Sequence, residues 1–265
     1  MVIEHKQTEH TLNLLTYNIQ AASQTTSYSD YVTKSWKQLI PHRHQLHNLN
    51  EIGEMLGQYD FVGLQEVDAG SFRSGFINQT RYLAGKGNFP FWFTQPNRDY
   101  GHLAKHSNGV LSRYHPSRCI HRKLPGMPGR GILVTEFAYG VETLAIIVVH
   151  LALGGRSQRR QFDFIREIAQ HYPYAIILGD FNKEPDSKEM LSLLTRGGFK
   201  DCCETWTHPS WKPRRKIDYI LVPQSMEVCS SEVVDYHLSD HLPIQLRVSL
   251  PESVQLEGRA ESMHG

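Results

Sequence analysis

The feature that most constrains this chain is a succession of short apolar runs, rich in branched residues, many of which end at a polar or ionisable side chain. Ten of them, at 12–19, 60–65, 89–93, 109–112, 132–138, 143–149, 174–178, 217–222, 227–234 and 244–248, read as strands. β-Branched and aromatic residues between turn formers favour extended backbone. Leu46, Leu49, Ile52, Met55 and Leu56 recur at mostly three- and four-residue steps and predict a helix, as do Phe162, Ile165, Ile168 and Ala169. Shorter helices are expected over 76–84 and 187–195, the second closed by Gly197-Gly198. So many strands would crowd one twisted sheet. An α/β arrangement of two packed mixed sheets, with helices on the outer faces, fits better.

With 265 residues, 40% of them hydrophobic, the chain can bury a sizeable core. No repeat or linker divides it, so a single domain over 1–265 is expected, with its core at about 10–250. The polar, aperiodic stretch 251–265 reads as a disordered tail. The formal charge of +1 excludes a dominant field of one sign, so any polyanion site must be a local patch. Cys119, Cys202, Cys203 and Cys229 form no Cys-x-x-Cys pair and read as free thiols. Residues 1–10 lack the apolar centre of a signal peptide, and the longest apolar run, 144–149, is far short of a membrane span. A soluble, cytoplasmic protein is the expectation.

The chemistry-bearing residues sit at strand ends. In Ile176-Ile177-Leu178-Gly179-Asp180-Phe181-Asn182 a buried strand runs into a glycine, an acid and an amide. In Leu238-Ser239-Asp240-His241-Leu242-Pro243 an acid and an imidazole precede a strand. His150 closes Val148-Val149-His150, Glu66 and Asp68 close a third run, and Asn18 ends a fourth. Asp218 opens the run 217–222. Singly, each could be a turn or cap residue.

Taken in order, Asn18, Glu66, His150, Asp180, Asn182, Asp218, Asp240 and His241 resemble the signature of the endonuclease/exonuclease/phosphatase superfamily, the group of deoxyribonuclease I, apurinic endonucleases, neutral sphingomyelinases and inositol polyphosphate phosphatases. Ser107-Asn108-Gly109 resembles the family's asparagine-bearing strand. The resemblance implies a four-layer α/β/β/α sandwich, a site at one rim between the sheets, and one or two Mg²⁺ or Mn²⁺ ions. By the same resemblance Glu66, with Asn18 and Asp240, binds metal, and Asp180 takes the proton of the attacking water. His241, oriented by Asp218, does acid–base work or contacts the phosphate. His150 and Asn182, helped by Asn108, donate to phosphate oxygens. The two-histidine arrangement is similar to that of deoxyribonuclease I and the sphingomyelinases. Glu66-Val67-Asp68 departs from the Glu-x-Arg of deoxyribonuclease I, and Asp68 reads as a loop cap in preference to a further ligand.

A phosphodiesterase acting on nucleic acid or a phospholipid-type head group is therefore expected. A phosphomonoesterase of the inositol-phosphatase type and an inactive anion-binding member are the alternatives. Arg98, Lys105, Arg156, Arg159, Arg160, Arg214, Arg215 and Lys216, with Phe91, Trp92, Tyr100, Trp206 and Trp211, form either a substrate-contacting rim or solvated faces and core aromatics. His42, His44 and His47 suggest zinc, but no further cysteine or acid completes that set.

Overall fold

The computed structural model describes residues 11–20, 43–99, 105–126 and 128–258. It contains twelve strands: β1 Thr11–Asn18, β2 Phe61–Asp68, β3 Phe91–Asp99, β4 Lys105–Ser112, β5 Arg118–Lys123, β6 Gly131–Phe137, β7 Leu144–His150, β8 Tyr174–Asp180, β9 Phe199–Asp201, β10 Asp218–Pro223, β11 Val228–Val233 and β12 Ile244–Ser249. The α-helices are α1 Arg43–Leu56, α2 Gln79–Lys86, α3 Gly155–Ala169 and α4 Lys188–Gly197. The strands form two six-stranded sheets, ordered β11-β12-β1-β2-β4-β3 and β5-β6-β7-β8-β10-β9. Among the described strands only β1/β2 and β7/β8 pair in parallel, and each pair is joined by a crossover containing a helix, as parallel neighbours require.

Three apolar layers hold the sandwich together. Leu12, Leu14, Phe61 and Val110 of the first sheet meet Leu144, Ile146, Val148, Ile176, Leu178 and Ile220 of the second. The alternate residues of the second sheet, such as Ala145, Ile147, Val149 and Ile177, pack under Phe162 and Ile165 of α3 and Met190 and Leu193 of α4. Leu15, Tyr17, Val62 and Leu64 pack under Leu49, Ile52 and Leu56 of α1 and Leu83 of α2. Both faces of the central strands are covered, which is why their sequences read as unbroken apolar runs. The sheets approach closely at Gly63, where a Cβ would lie 2.0 Å from Leu178 Cδ1 and 3.0 Å from Val148 Cγ2.

Two strands escape the sequence pattern. β5, Arg-Cys-Ile-His-Arg-Lys, is a charged edge strand without an apolar run, and β9 has three residues. β2 and β3 run further than expected, and β4 begins earlier, because polar residues at their ends still pair across the sheet. The expectation of a disordered tail fails for residues 251–258. Val254 is buried against the inter-sheet core, Ser253 O accepts from Glu142 N (3.0 Å), and Glu257 O accepts from His115 N (2.8 Å). Two well-placed apolar side chains, Val254 and Leu256, suffice to anchor an otherwise polar stretch. Of the suggested zinc set, His42 and the side chain of His44 lie outside the described residues, and His47 pairs with Glu51 at 3.0 Å. All four cysteines are free. No described helix is long and apolar enough to cross a membrane.

Gly63→Val should overpack the inter-sheet layer and destabilise the fold by about 1–3 kcal/mol, read as a lower midpoint in denaturant unfolding. An unchanged midpoint would contradict the close approach of the sheets there.

Candidate active site

The site is the polar end of the inter-sheet core. On β7 the inward residues run Leu144, Ile146, Val148 and then His150. On β8 they run Ile176, Leu178 and then Asp180, and on β10 Ile220 is followed inward by Asp218. On β1, Leu12 and Leu14 give way to Thr16 and Asn18. Strand register then aligns these ends: His150 pairs with Asp180 across β7/β8, and Asp180 with Asp218 across β8/β10.

Backbone irregularities aim the remaining groups. The β2/β4 ladder shifts register between Leu64 and Val67, a β-bulge in which Glu66 adopts φ 55°. A bulge of this kind re-aims a side chain that regular pleating would send outward. Gly179 sits at φ 141°, with Val149 O only 2.0 Å from where a Cβ would be, so only glycine lets β8 close on β7. Asn182 follows at φ 49°; its backbone N–H donates to Asp180 Oδ1 (2.8 Å) and its Nδ2 to Leu151 O (3.0 Å).

The side chains converge at short range. Asn18 Nδ2 donates to Asp180 Oδ2 (3.1 Å) and reaches Glu66 Oε1 (3.5 Å), while its Oδ1 accepts from Gln20 N. His150 Nε2 lies 3.5 Å from Asp180 Oδ2 and 3.7 Å from Glu66 Oε1. His241 Nδ1 is 2.8 Å from Asp218 Oδ2, which also accepts from Thr207 Oγ1 at 2.5 Å. Ser239 Oγ donates to Asn18 O (2.7 Å) and tethers the Asp240-His241 segment to β1. Asn108 lies on the inward side of β4 and its Nδ2 donates to Gly131 O (2.9 Å), so it braces β6 from beside the convergent group. Asp68 accepts from Gly70 N, Ser71 N, Ser71 Oγ and Ser74 Oγ, as a loop cap does.

The electrostatics separate the two histidines. Burial and the positive groups Arg130, His241 and His106 hold His150 well below the usual imidazole range. Burial also pulls His241 down, but the Asp218, Asp180 and Asp240 carboxylates outweigh it and hold this imidazole well above its ordinary value. Burial and the neighbouring Asp218 carboxylate push Asp180 up to about 7. Burial likewise raises Asp240, with Glu66 adding to the shift.

His208 is a site residue that the strand-end pattern missed, because it lies in a loop. Its ring packs on that of His241 (centroids 4.7 Å apart) and its Nε2 lies 3.9 Å from Asp240 Oδ2. Thr207 and Arg130 were missed for the same reason, and His106 because it lies at the start of β4, ahead of the apolar run. Ligand atoms of His208, Asp240 and His241, and those of Asp180, Asp218 and His241, each fall within 4.8 Å of one another. Of the basic rim, Arg215 pairs with Glu184 (2.7 Å), Arg159 with Glu189 (3.5 Å) and Lys216, buried, with Asp201. The side chains of Arg98, Tyr100 and Lys105 lie outside the described residues. Phe93 packs against the inter-sheet core, whereas Trp92 is exposed.

The fold has counterparts among known proteins. The chain aligns over 92% of its length with 72% of an endonuclease/exonuclease/phosphatase from Beutenbergia cavernae (TM-score 0.70, 19% identity). It aligns over 90% with all of a mannosyl-6-phosphatase from Bacteroides thetaiotaomicron (TM-score 0.67, 15% identity). A beta toxin from Staphylococcus aureus aligns with 89% of this chain over 99% of its own length (TM-score 0.63, 16% identity). At these identities the likeness is one of fold. No curated protein sequence matches the chain. The model of the Endonuclease/Exonuclease/phosphatase family matches residues 15–241, from the first strand through the Asp240-His241 segment, and the chain therefore belongs to that family.

Proposed function

We propose that this chain is a divalent-metal-dependent phosphodiesterase acting on nucleic acid or a phospholipid-type head group. The observation that carries the reading is the convergence of Asn18, Glu66, His150 and Asp180 from four strands, beside an imidazole clamped by Asp218. The family's members are generally phosphoester hydrolases that depend on a divalent cation.

The donors present suit a hard cation. Glu66, Asp240 and the amide oxygen of Asn18 are oxygen ligands, and the buried, mutually repelling carboxylates around them call for positive charge. Asn18 Oδ1 accepts one hydrogen bond and keeps a second lone pair. When bound, Mg²⁺ or Mn²⁺ would offset the substrate's charge and stabilise the leaving oxygen.

The protein's own groups divide the remaining work. Asp180, held by Asn18 Nδ2 and Asn182 N, orients the attacking water and accepts its proton. His241, kept in one orientation by Asp218, offers its other nitrogen to the phosphate or leaving oxygen. His150 and Asn182 donate to the non-bridging oxygens as charge builds. Charge favours a diester. Asp180, Asp218, Asp240 and Glu66 already crowd the mouth, and a monoester brings a second negative charge near neutral pH, whereas a diester brings one.

Asp180→Ala and His241→Ala should each lower turnover of bis-p-nitrophenyl phosphate by about 10³-fold or more with the fold retained by circular dichroism, because these groups act as a unit. Asp218→Asn should cost roughly 10²- to 10⁴-fold in kcat by releasing the His241 ring. Glu66→Ala should shift the metal titration to higher concentration, whereas Asp218→Asn should leave that midpoint in place. Wild-type-like turnover in the Asp180 or His241 variant would overturn the assignment. Faster turnover of p-nitrophenyl phosphate than of the diester would favour a monoesterase, and no turnover on either, with the fold intact, an anion-binding member.

A further inference from the structure

Among the described residues eight large apolar side chains are exposed. Leu46, Trp92, Val141 and Leu191 are scattered over α1, β3, the β6–β7 turn and α4, and isolated exposed hydrophobics are normal. The other four lie on three loops at one end of the sandwich. Phe72 (46% exposed) and Phe76 (64%) lie on the loop that leaves β2 just after Glu66. Leu153 (81%) lies three residues beyond His150, and Trp206 (55%) precedes Thr207, the partner of Asp218. All three loops leave the sandwich at the end where the catalytic groups converge.

Two of these loops hold their apolar tips out on firm supports. The 70–74 turn is bound to the buried Asp68 carboxylate by four hydrogen bonds. Phe76 adopts φ 63°, a left-handed conformation costly for a bulky residue, and its ring meets Phe72 edge-to-face at 6.3 Å. Beneath Leu153, Gln161 Oε1 accepts from Ala152 N (2.9 Å) and Gln158 Nε2 donates to Ala152 O (2.8 Å).

Two occupants could cover such a rim: stacked nucleobases or a lipid surface. Charge and shape favour the lipid. Arg159 and Lys183 share Glu189, and Arg215 is paired with Glu184, so much of the rim's positive charge is already spent within the protein. The net charge of +1 gives little attraction for a polyanion. Leu153, the most exposed of the four, has no π-face on which a base could stack. Apolar tips beside arginines, here Leu153 followed by Arg156 and Arg160, suit an interface with acyl chains below and phosphates above.

We propose that Phe72, Phe76, Leu153 and Trp206 dock the mouth of the site onto a phospholipid bilayer, so that the ester presented to Asp180 and His241 is a lipid head group. This rests on the phosphodiesterase reading above and narrows its substrate class.

Flotation of the full chain with phosphatidylcholine vesicles tests the docking, with a labelled single-stranded oligonucleotide as the competing ligand. The wild-type chain should bind the vesicles at low and at high salt. The triple variant F72S/F76S/L153S should bind them about tenfold more weakly or worse. It should hydrolyse bis-p-nitrophenyl phosphate at the wild-type rate, since that ester is soluble. Leu153→Ser alone, on an open loop, should weaken vesicle binding without touching the fold. Absence of wild-type vesicle binding, or full binding by the triple variant, would overturn the proposal. So would tight oligonucleotide binding that the same three substitutions abolish. Vesicle binding without hydrolysis of the soluble ester would count against the phosphodiesterase reading and leave the docking standing.

Discussion

Asp180 and Asp218 are direct cross-strand partners on β8 and β10, and both are buried. Like charges placed opposite each other in a sheet repel, and burial raises the cost of each. Much of the surrounding structure answers that problem. His241 and Thr207 meet Asp218, while Asn18 and the Asn182 backbone meet Asp180. His150 completes the row from the next strand. The pair is therefore tolerated only in company, and the groups that make it tolerable are those that a phosphoester hydrolase needs.

The site also depends on how the sheets meet. Inward-facing positions are apolar along most of each central strand and turn polar at one end, so the same packing that forms the core brings Asn18 of one sheet within 3.1 Å of Asp180 of the other. Regular pleating cannot deliver every group to that end. Glu66 arrives through a bulge with left-handed backbone, and β8 reaches His150 only because Gly179 has no Cβ. Local backbone cost is concentrated where the chemistry is.

A shared fold hosts many phosphoester substrates, so the centre alone does not name one. The loops after β2 and β7 and before β10 display four of the eight large apolar side chains exposed among the described residues, beside cations that are partly neutralised within the protein. They are braced from below by Asp68, Gln158 and Gln161. That combination of a polar, charged centre and an apolar margin is what the proposed docking on a lipid surface rests on.

Ten of the twelve described strands, the four described helices and the sandwich of two sheets were legible in the sequence, because burial on both faces leaves continuous apolar runs and amphipathic stripes. The same is true of the residues at the strand ends, since a polar side chain closing an apolar run is a local signal. The edge strand β5 and the short β9 carried no such signal, and the packing of residues 251–258 depended on distant partners at His115 and Glu142. His208 and Thr207 lie in a loop whose sequence reads as an ordinary turn, and only the fold brings them to Asp240 and Asp218. Neither the downward shift of His150 nor the upward shift of His241 could be read from residue type. Both follow from burial and from which charges become neighbours. The sequence by itself determined which side chains were available, and at which strand ends. Only the register of β7, β8 and β10, the bulge at Glu66 and the closure of the two sheets decided which would touch, because those distances are set by pairings between residues far apart in the chain.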